Sequence, residues 1–411
     1  MDRRLSVYSC LLCGLLFLAG AGVQRPLQAQ EGPGGIPRPR AEARAGSLES
    51  DHFHIVFDPA RLTPADVGRA RDQAETAWSK CARLFGQEPS AKLRLDLTPD
   101  FVGATGFAML GNEDGRPGAR PMIGVRYADL EYLGLAGDYV LTHEIGHIFS
   151  GKLAGSSLGE GIADWAAGSF SGVPMRPWWG RALRQAGIWV EPRAFFVSGD
   201  FEQSREVDAT IRTAQYAESA LLVQFLVERF GWEKTRRFAE EFSQARGRLE
   251  SNAERRLRRP ERPSTAGGRD PRRAPDAAEV SAVFEHHFGV PADKMLTDWQ
   301  QWIDAEPVPA PEGERLILAE KIYGAIRNYE MWTLAQKPGP SAEVRALIRA
   351  AFTDANRSLA AGDLSAARTA FARASRIVER LRRPVSVAMR GREQPSVRGR
   401  SLTGVVRLAG W

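Results

Sequence analysis

His143 and His147, with Glu144, Ile145 and Gly146 between them, are the residues of this chain best placed to do chemistry. Side chains four apart on an α-helix share a face, so two imidazoles at this spacing reach one cation. Glu160 follows thirteen residues after His147, and Asp164 four after that. A carboxylate brought in from a neighbouring helix makes three protein ligands and leaves a fourth position open, which is the arrangement of catalytic zinc. Imidazole and carboxylate suit a borderline cation without redox chemistry, so one zinc ion per chain is expected on His143, His147 and Glu160. Glu144 adjoins the first ligand without being one. It is suited to accept the proton of a metal-activated water and pass it to a leaving amine. Asp164 is a candidate acceptor for the second ring N–H of a ligating histidine. Plainer readings of the same residues stand beside these: Ser157 with Glu160 fits a capping box, and Asp164 fits an ordinary first-turn acid.

The histidine pair requires a helix. Asp138 is a candidate N-cap and Gly151 a stop, with Leu141, Ile145 and Ile148 on one face and Tyr139, His143 and His147 on another. A second helix begins near Ser157 and carries Glu160 and Asp164. Upstream, residues 51–57 alternate as a half-buried strand, 62–85 have helical periodicity with Thr63 and Pro64 at the start and Gly86 at the end, and 92–97 alternate again. Residues 103–121 are glycine-rich and read as irregular, and 122–126 as a short strand. From about Gln215 the pattern is helical, closing with 280–303. Residues 316–383 read as a further helical module. Within it, Ala360-Ala361-Gly362-Asp363-Leu364 followed by Ala367, Phe371 and Ala374 is similar to one tetratricopeptide-type helix pair, and a single unit cannot make a solenoid.

The set His143-Glu144-x-x-His147 with Glu160-Gly161-Ile162-Ala163-Asp164-Trp165 resembles the gluzincin metallopeptidases, and within them the peptidase MA-like domains that share the thermolysin and M1 aminopeptidase core. The strand–helix–strand opening and the segment Tyr216-Ala217-Glu218-Ser219-Ala220-Leu221-Leu222 share the resemblance, which spans roughly residues 50 to 305. It implies an α+β, zincin-like fold and zinc-dependent hydrolysis of peptide bonds in a peptide or protein substrate. Carried over residue by residue, it assigns Tyr216 the role of donor to the oxyanion, and residues 122–126 that of the edge strand pairing with substrate. Tyr216 also reads as an aromatic at the core edge. No G-x-M-E-N motif precedes the histidines, so capture of a substrate N-terminus is not implied. The arginine-rich stretch at 246–274 has no counterpart in the family pattern.

Arg3 and Arg4 precede an apolar run from Leu11 to Val23 that is short for a bilayer span, so residues 1–29 read as a secretory signal; an uncleaved anchor is the other reading. The expected location is therefore exported: periplasmic, secreted or on the outer face of a membrane. Cleavage removes Cys10 and Cys13, leaving Cys81 as a lone, buried apolar residue with no disulfide. Residues 30–46 form a linker, 47–305 the peptidase-like domain, 313–383 the helical module and 384–411 a flexible tail. The net charge of +6 is concentrated. Residues 246–274 hold ten arginines against four acids, and 384–411 five against one. Without these and the signal, the fold is acidic, so nucleic-acid binding is not expected. The 246–274 stretch reads as a disordered insertion. The module at 313–383 offers a surface for a protein partner, and the competing reading of the chain is a non-catalytic interaction protein that keeps a peptidase-like scaffold. His286 and His287, at a helix end, read as carbonyl caps or as late oxyanion donors. His52 and His54 read as structural, and Trp178 and Trp179 as packing near the site.

Overall fold

The computed structural model describes residues 45–98, 104–109, 121–153, 157–190, 209–257, 277–336 and 339–382. The expected signal at 1–29, nearly all of the expected linker at 30–46, the later part of the arginine-rich stretch and the expected tail at 384–411 lie outside them. The fold is mixed α+β, mostly helical, with one small sheet. Among the described residues no helix is long and apolar enough to cross a membrane.

The sheet contains β1 (Gly46–Glu49), β2 (Phe53–Phe57), β3 (Leu93–Asp96), β4 (Gly106–Met109) and β5 (Met122–Val125), in the order β1-β2-β3-β5-β4. The three inner strands run parallel, with Ile55 opposite Leu95 and Leu95 opposite Ile123. All three side chains are fully buried. Both outer strands are antiparallel to their neighbours. The strand at 122–126 is therefore interior, and the edge falls to β4, inside the glycine-rich stretch expected to be irregular. The reason lies at Gly124: a Cβ there would overlap the Phe107 ring, so the absence of a side chain lets β4 close over β5.

Helix α1 (Pro64–Phe85) connects β2 to β3 and is the best-signposted element. Thr63 and Asp66 form a reciprocal capping box, Pro64 sets the first turn, and Gly86 ends the helix at φ 67°. Its buried face runs through Val67, Ala70, Ala74, Trp78, Cys81 and Phe85. Cys81 is free and buried, and burial pushes its thiol up to about 12.

After a short turn of helix, α2 (Leu130–Leu133), come the two helices that carry the motif: α3 (Gly137–Ser150) and α4 (Ser157–Ala167). Asp138 is not the N-cap. The cap is Ala136, which makes no side-chain hydrogen bond, and Asp138 occupies the first turn. A small hairpin, β6 (Ser169–Phe170) with β7 (Val173–Pro174), leads to α5 (Trp178–Gln185). The long helix α6 (Ala209–Phe230) then lies against α4.

Helix α7 (Trp232–Leu257) continues through the first twelve residues of the arginine-rich stretch, correcting the expectation of disorder over 246–257. The stretch has no proline before Pro260, so nothing in it breaks the helix sooner. Helices α8 (Ala277–Phe288) and α9 (Ala292–Ala305) are separated at Gly289-Val290-Pro291, with Gly289 at φ 70°. Then come α10 (Ala310–Ala335), α11 (Ala342–Ala360) and α12 (Leu364–Arg382). The last two form the expected hairpin. The first does not stand apart: α10 packs along α6, with Gly324 seated where a side chain would meet Thr210.

A buried ion cluster fixes this docking. Arg126, 5% exposed, donates through Nε and Nη2 to Asp129 Oδ2 at 3.0 and 2.9 Å. Through Nη1 and Nη2 it donates to both oxygens of Glu330 at 3.0 and 2.9 Å. Nη1 also reaches the Ala104 carbonyl, next to β4. Arg349 of α11 binds the other Asp129 oxygen. A bidentate guanidinium between two buried carboxylates is strong only while complete. Arg126→Ala is therefore expected to destabilise the fold by about 3–5 kcal/mol. A urea titration followed by circular dichroism checks this. A loss under about 1 kcal/mol would show that the cluster is not holding α10 in place.

Candidate metal centre

Helix α3 presents His143 and His147 on one face, and α4 brings Glu160 to them. His143 Nε2 and His147 Nε2 are 3.1 Å apart, and Glu160 Oε2 is 3.3 Å from the first and 3.2 Å from the second. Three donors bound tetrahedrally at about 2.0–2.1 Å would be separated by roughly 3.3 Å, so the three atoms already stand nearly where a zinc ion would hold them. The sequence makes this convergence possible through small residues. Gly146 lets Ala163 approach, with its Cα 3.1 Å from where a Cβ would lie. Gly161 lets the Ser219 backbone of α6 press on α4 from the other side.

Electrostatics agree with the geometry. Burial opposes charge on Glu160, but attraction to His147 and His143 outweighs it and holds the carboxyl well below its usual range. Burial likewise works against a charged His143, and Asp164 outweighs it, raising that ring well above the ordinary histidine value. His143 Nδ1 lies 2.6 Å from Asp164 Oδ1, which also accepts from the Tyr139 hydroxyl at 2.9 Å. Asp164 thus fixes the ring so that Nε2 faces the other donors. His147 Nδ1 is buried without a hydrogen-bond partner among the described residues.

Glu144 is 6% exposed, and burial raises its carboxyl, with His143 and His147 pulling the other way. It does not join the three donors. Its carboxylate instead lies against Gly106 of β4, where any side chain would collide with it. The edge strand therefore runs directly past this acid.

Both lie on a cleft of about 420 Å³, within the range of roughly 300–1,000 Å³ typical of ligand sites. His143, Glu144, His147, Glu160, Asp164 and Tyr216 all line it. The Tyr216 ring stands edge-on to His143, with centroids 6.4 Å apart. Trp179 lines it as well, while Trp178 packs behind.

One wall was not expected from the motif. Glu320, Tyr323 and Arg327, all on α10, complete the cleft. Tyr323 shares a 2.7 Å hydrogen bond with Thr105 beside β4 and accepts from Arg327 Nη1 at 3.0 Å. Glu320 is buried, and burial followed by the nearby Asp164 raises its carboxyl well above the usual range. The spacing of these three polar residues, at i, i+3 and i+7, puts them on one face of the helix, a stripe that the sequence does display.

His286 and His287 lie outside this cleft and contact Glu241 on α7 instead. His52 pairs with Glu75 and stacks on Trp78, and His54 pairs with Glu49, as structural residues would.

Asp164→Asn removes the charge that orients His143 and is expected to weaken zinc binding by about 10–100-fold. Competition against a chromophoric chelator measures this, with circular dichroism confirming the fold; an unchanged affinity would remove Asp164 from the centre. No family model, curated protein or solved structure matches this chain, and its functional reading stands on the geometry of the site itself.

Proposed function

We propose that this chain is an exported, zinc-dependent metallopeptidase of the gluzincin type, with a zincin-like fold around the cleft. One observation carries the reading: Glu144, a buried carboxylate outside the three converging donors, lies between them and an edge strand. Zinc held by His143, His147 and Glu160 would supply Lewis acidity and lower the pKa of a water toward about 7. The chain's own residues account for the rest. β4, outermost in the sheet among the described residues, would take an extended peptide alongside it, placing a substrate amide beside Glu144. Glu144, made more basic by burial, takes the proton of the attacking water and returns it to the departing amine nitrogen as the C–N bond breaks. Tyr216, at the cleft wall, donates to the carbonyl oxygen as it gains charge. Asp164 holds His143 in one tautomer throughout. Export is supported by Arg3 and Arg4 ahead of the apolar run to Val23.

The competing reading, a scaffold that binds partners through its C-terminal helices, gains nothing from the structure, since α10 is built into the cleft wall. Glu144→Gln separates the two. The variant should bind zinc like the parent and lose about 10²–10⁴-fold in hydrolysis of a mixed peptide library followed by mass spectrometry. Unchanged hydrolysis in Glu144→Gln would overturn the mechanism, and a parent protein that neither retains zinc nor cleaves any peptide would overturn the enzyme.

A further inference from the structure

A second set of metal-ligating side chains lies between α7 and α8. Glu241 Oε2 is 2.8 Å from His287 Nε2 and 3.1 Å from His286 Nδ1, and the three ligating groups fall within 4.8 Å of one another. We infer that Glu241, His286 and His287 form a second site, for a divalent cation of the zinc class, that staples α7 to α8.

The donor chemistry is the first support. Two imidazoles and one carboxylate suit zinc, nickel, cobalt or copper, and not magnesium or calcium, which take oxygen ligands. The separations are the second. A cation at about 2.0–2.1 Å from each donor needs them roughly 3.3 Å apart; each nitrogen stands within about half an ångström of that distance from the oxygen, and all three atoms lie within 4.8 Å of one another. His286, with 69% of its side chain exposed, has room to adjust.

The framework is the third. Phe238 on α7 packs on Phe284 and Phe288 of α8 at centroid distances of 4.6 and 4.9 Å. Glu241 stands one turn beyond Phe238, and the His287 ring meets Phe238 edge-on at 6.0 Å, with only 13% of its side chain exposed. Two of the three ligands therefore rise from a packed aromatic layer. One ring and one carboxylate held in this way are preorganised for a cation, and the exposed His286 ring completes the set.

Charge is the fourth. Among the described residues, Glu241 has no lysine or arginine partner. Arg236, one turn earlier, is taken by Glu233 and Glu240, and Lys234 lies over the Phe230 and Phe288 rings. The carboxylate is left to the two imidazoles, which are metal ligands when neutral. The site differs from the first centre in its exposure: one ligand faces solvent, so the ion is able to exchange. Its consequence is structural. The ligands are 45 and 46 positions apart on α7 and α8, so a bound ion cross-links the two helices across that length of chain.

Zinc chloride titrated into the metal-stripped full chain, followed by calorimetry, tests this. The parent should take up two equivalents. His143→Ala with His147→Ala should remove one and leave the other. His287→Ala, or Glu241→Gln, should remove the second while the first remains. If the double variant does not fold, the parent and His287→Ala alone decide the matter by two equivalents against one. The inference is overturned if no equivalent depends on His287 and Glu241, including the case in which a second equivalent survives both changes. A single equivalent lost only in His287→Ala would uphold this site and count against the first centre, so the two outcomes are separable.

Discussion

The close approach of three helices is the constraint on which the rest of the molecule depends. Glu160 comes within 3.3 Å of both imidazoles only because α4 fits between α3 and α6 without side chains in the way, at Gly146 on one side and Gly161 on the other. Helices of ordinary composition pack at about 8–10 Å between axes. Small residues at the crossing are what bring a carboxylate from one helix into the plane of donors presented by its neighbour. The cost is helix propensity, since glycine inside a helix loses roughly 1 kcal/mol against alanine. Two such positions within a few residues of the donors show local stability given over to geometry.

The cleft concentrates polar groups that a core would otherwise exclude. Glu144, Glu160, Asp164 and Glu320 lie close together with the two histidines, all largely removed from water. Four carboxylates so near one another cannot all stay ionised without cations. The structure divides them: Glu160 and Asp164 face the histidines, whereas burial raises the carboxyls of Glu144 and Glu320 above their ordinary value. A divalent cation on the donor side would deepen that division, since its charge acts most strongly on the groups that touch it.

Much of this was legible in the residues. The spacing of His143 and His147 demands one helix face, and α3 presents it. Thr63, Asp66 and Gly86 mark both ends of α1 by chemistry that acts within a few residues. Whatever depends on distant contacts was not. Nothing in Gly106-Phe107-Ala108-Met109 alternates, and only its pairing with β5 makes it a strand, so the edge was assigned to the wrong segment. Asp138 has the right chemistry for a cap, yet the chain enters α3 two residues too early for it to act as one. Glu320, Tyr323 and Arg327 form a readable polar stripe, but which surface that stripe faces is decided by an ion pair spanning 204 positions.

That ion pair has a temporal meaning. Arg126 and Glu330 meet only when nearly the whole chain is present, and the α10 wall docks with them. A chain emerging from its N-terminus builds the sheet and brings the three donors together while one side of the cleft is still missing. The cleft of a chain made or cut short of α10 therefore stays open to water on that side, and the pocket closes only once α10 is present. On the function proposed above, this order of assembly would protect the polypeptides nearest to the cleft, including the chain itself.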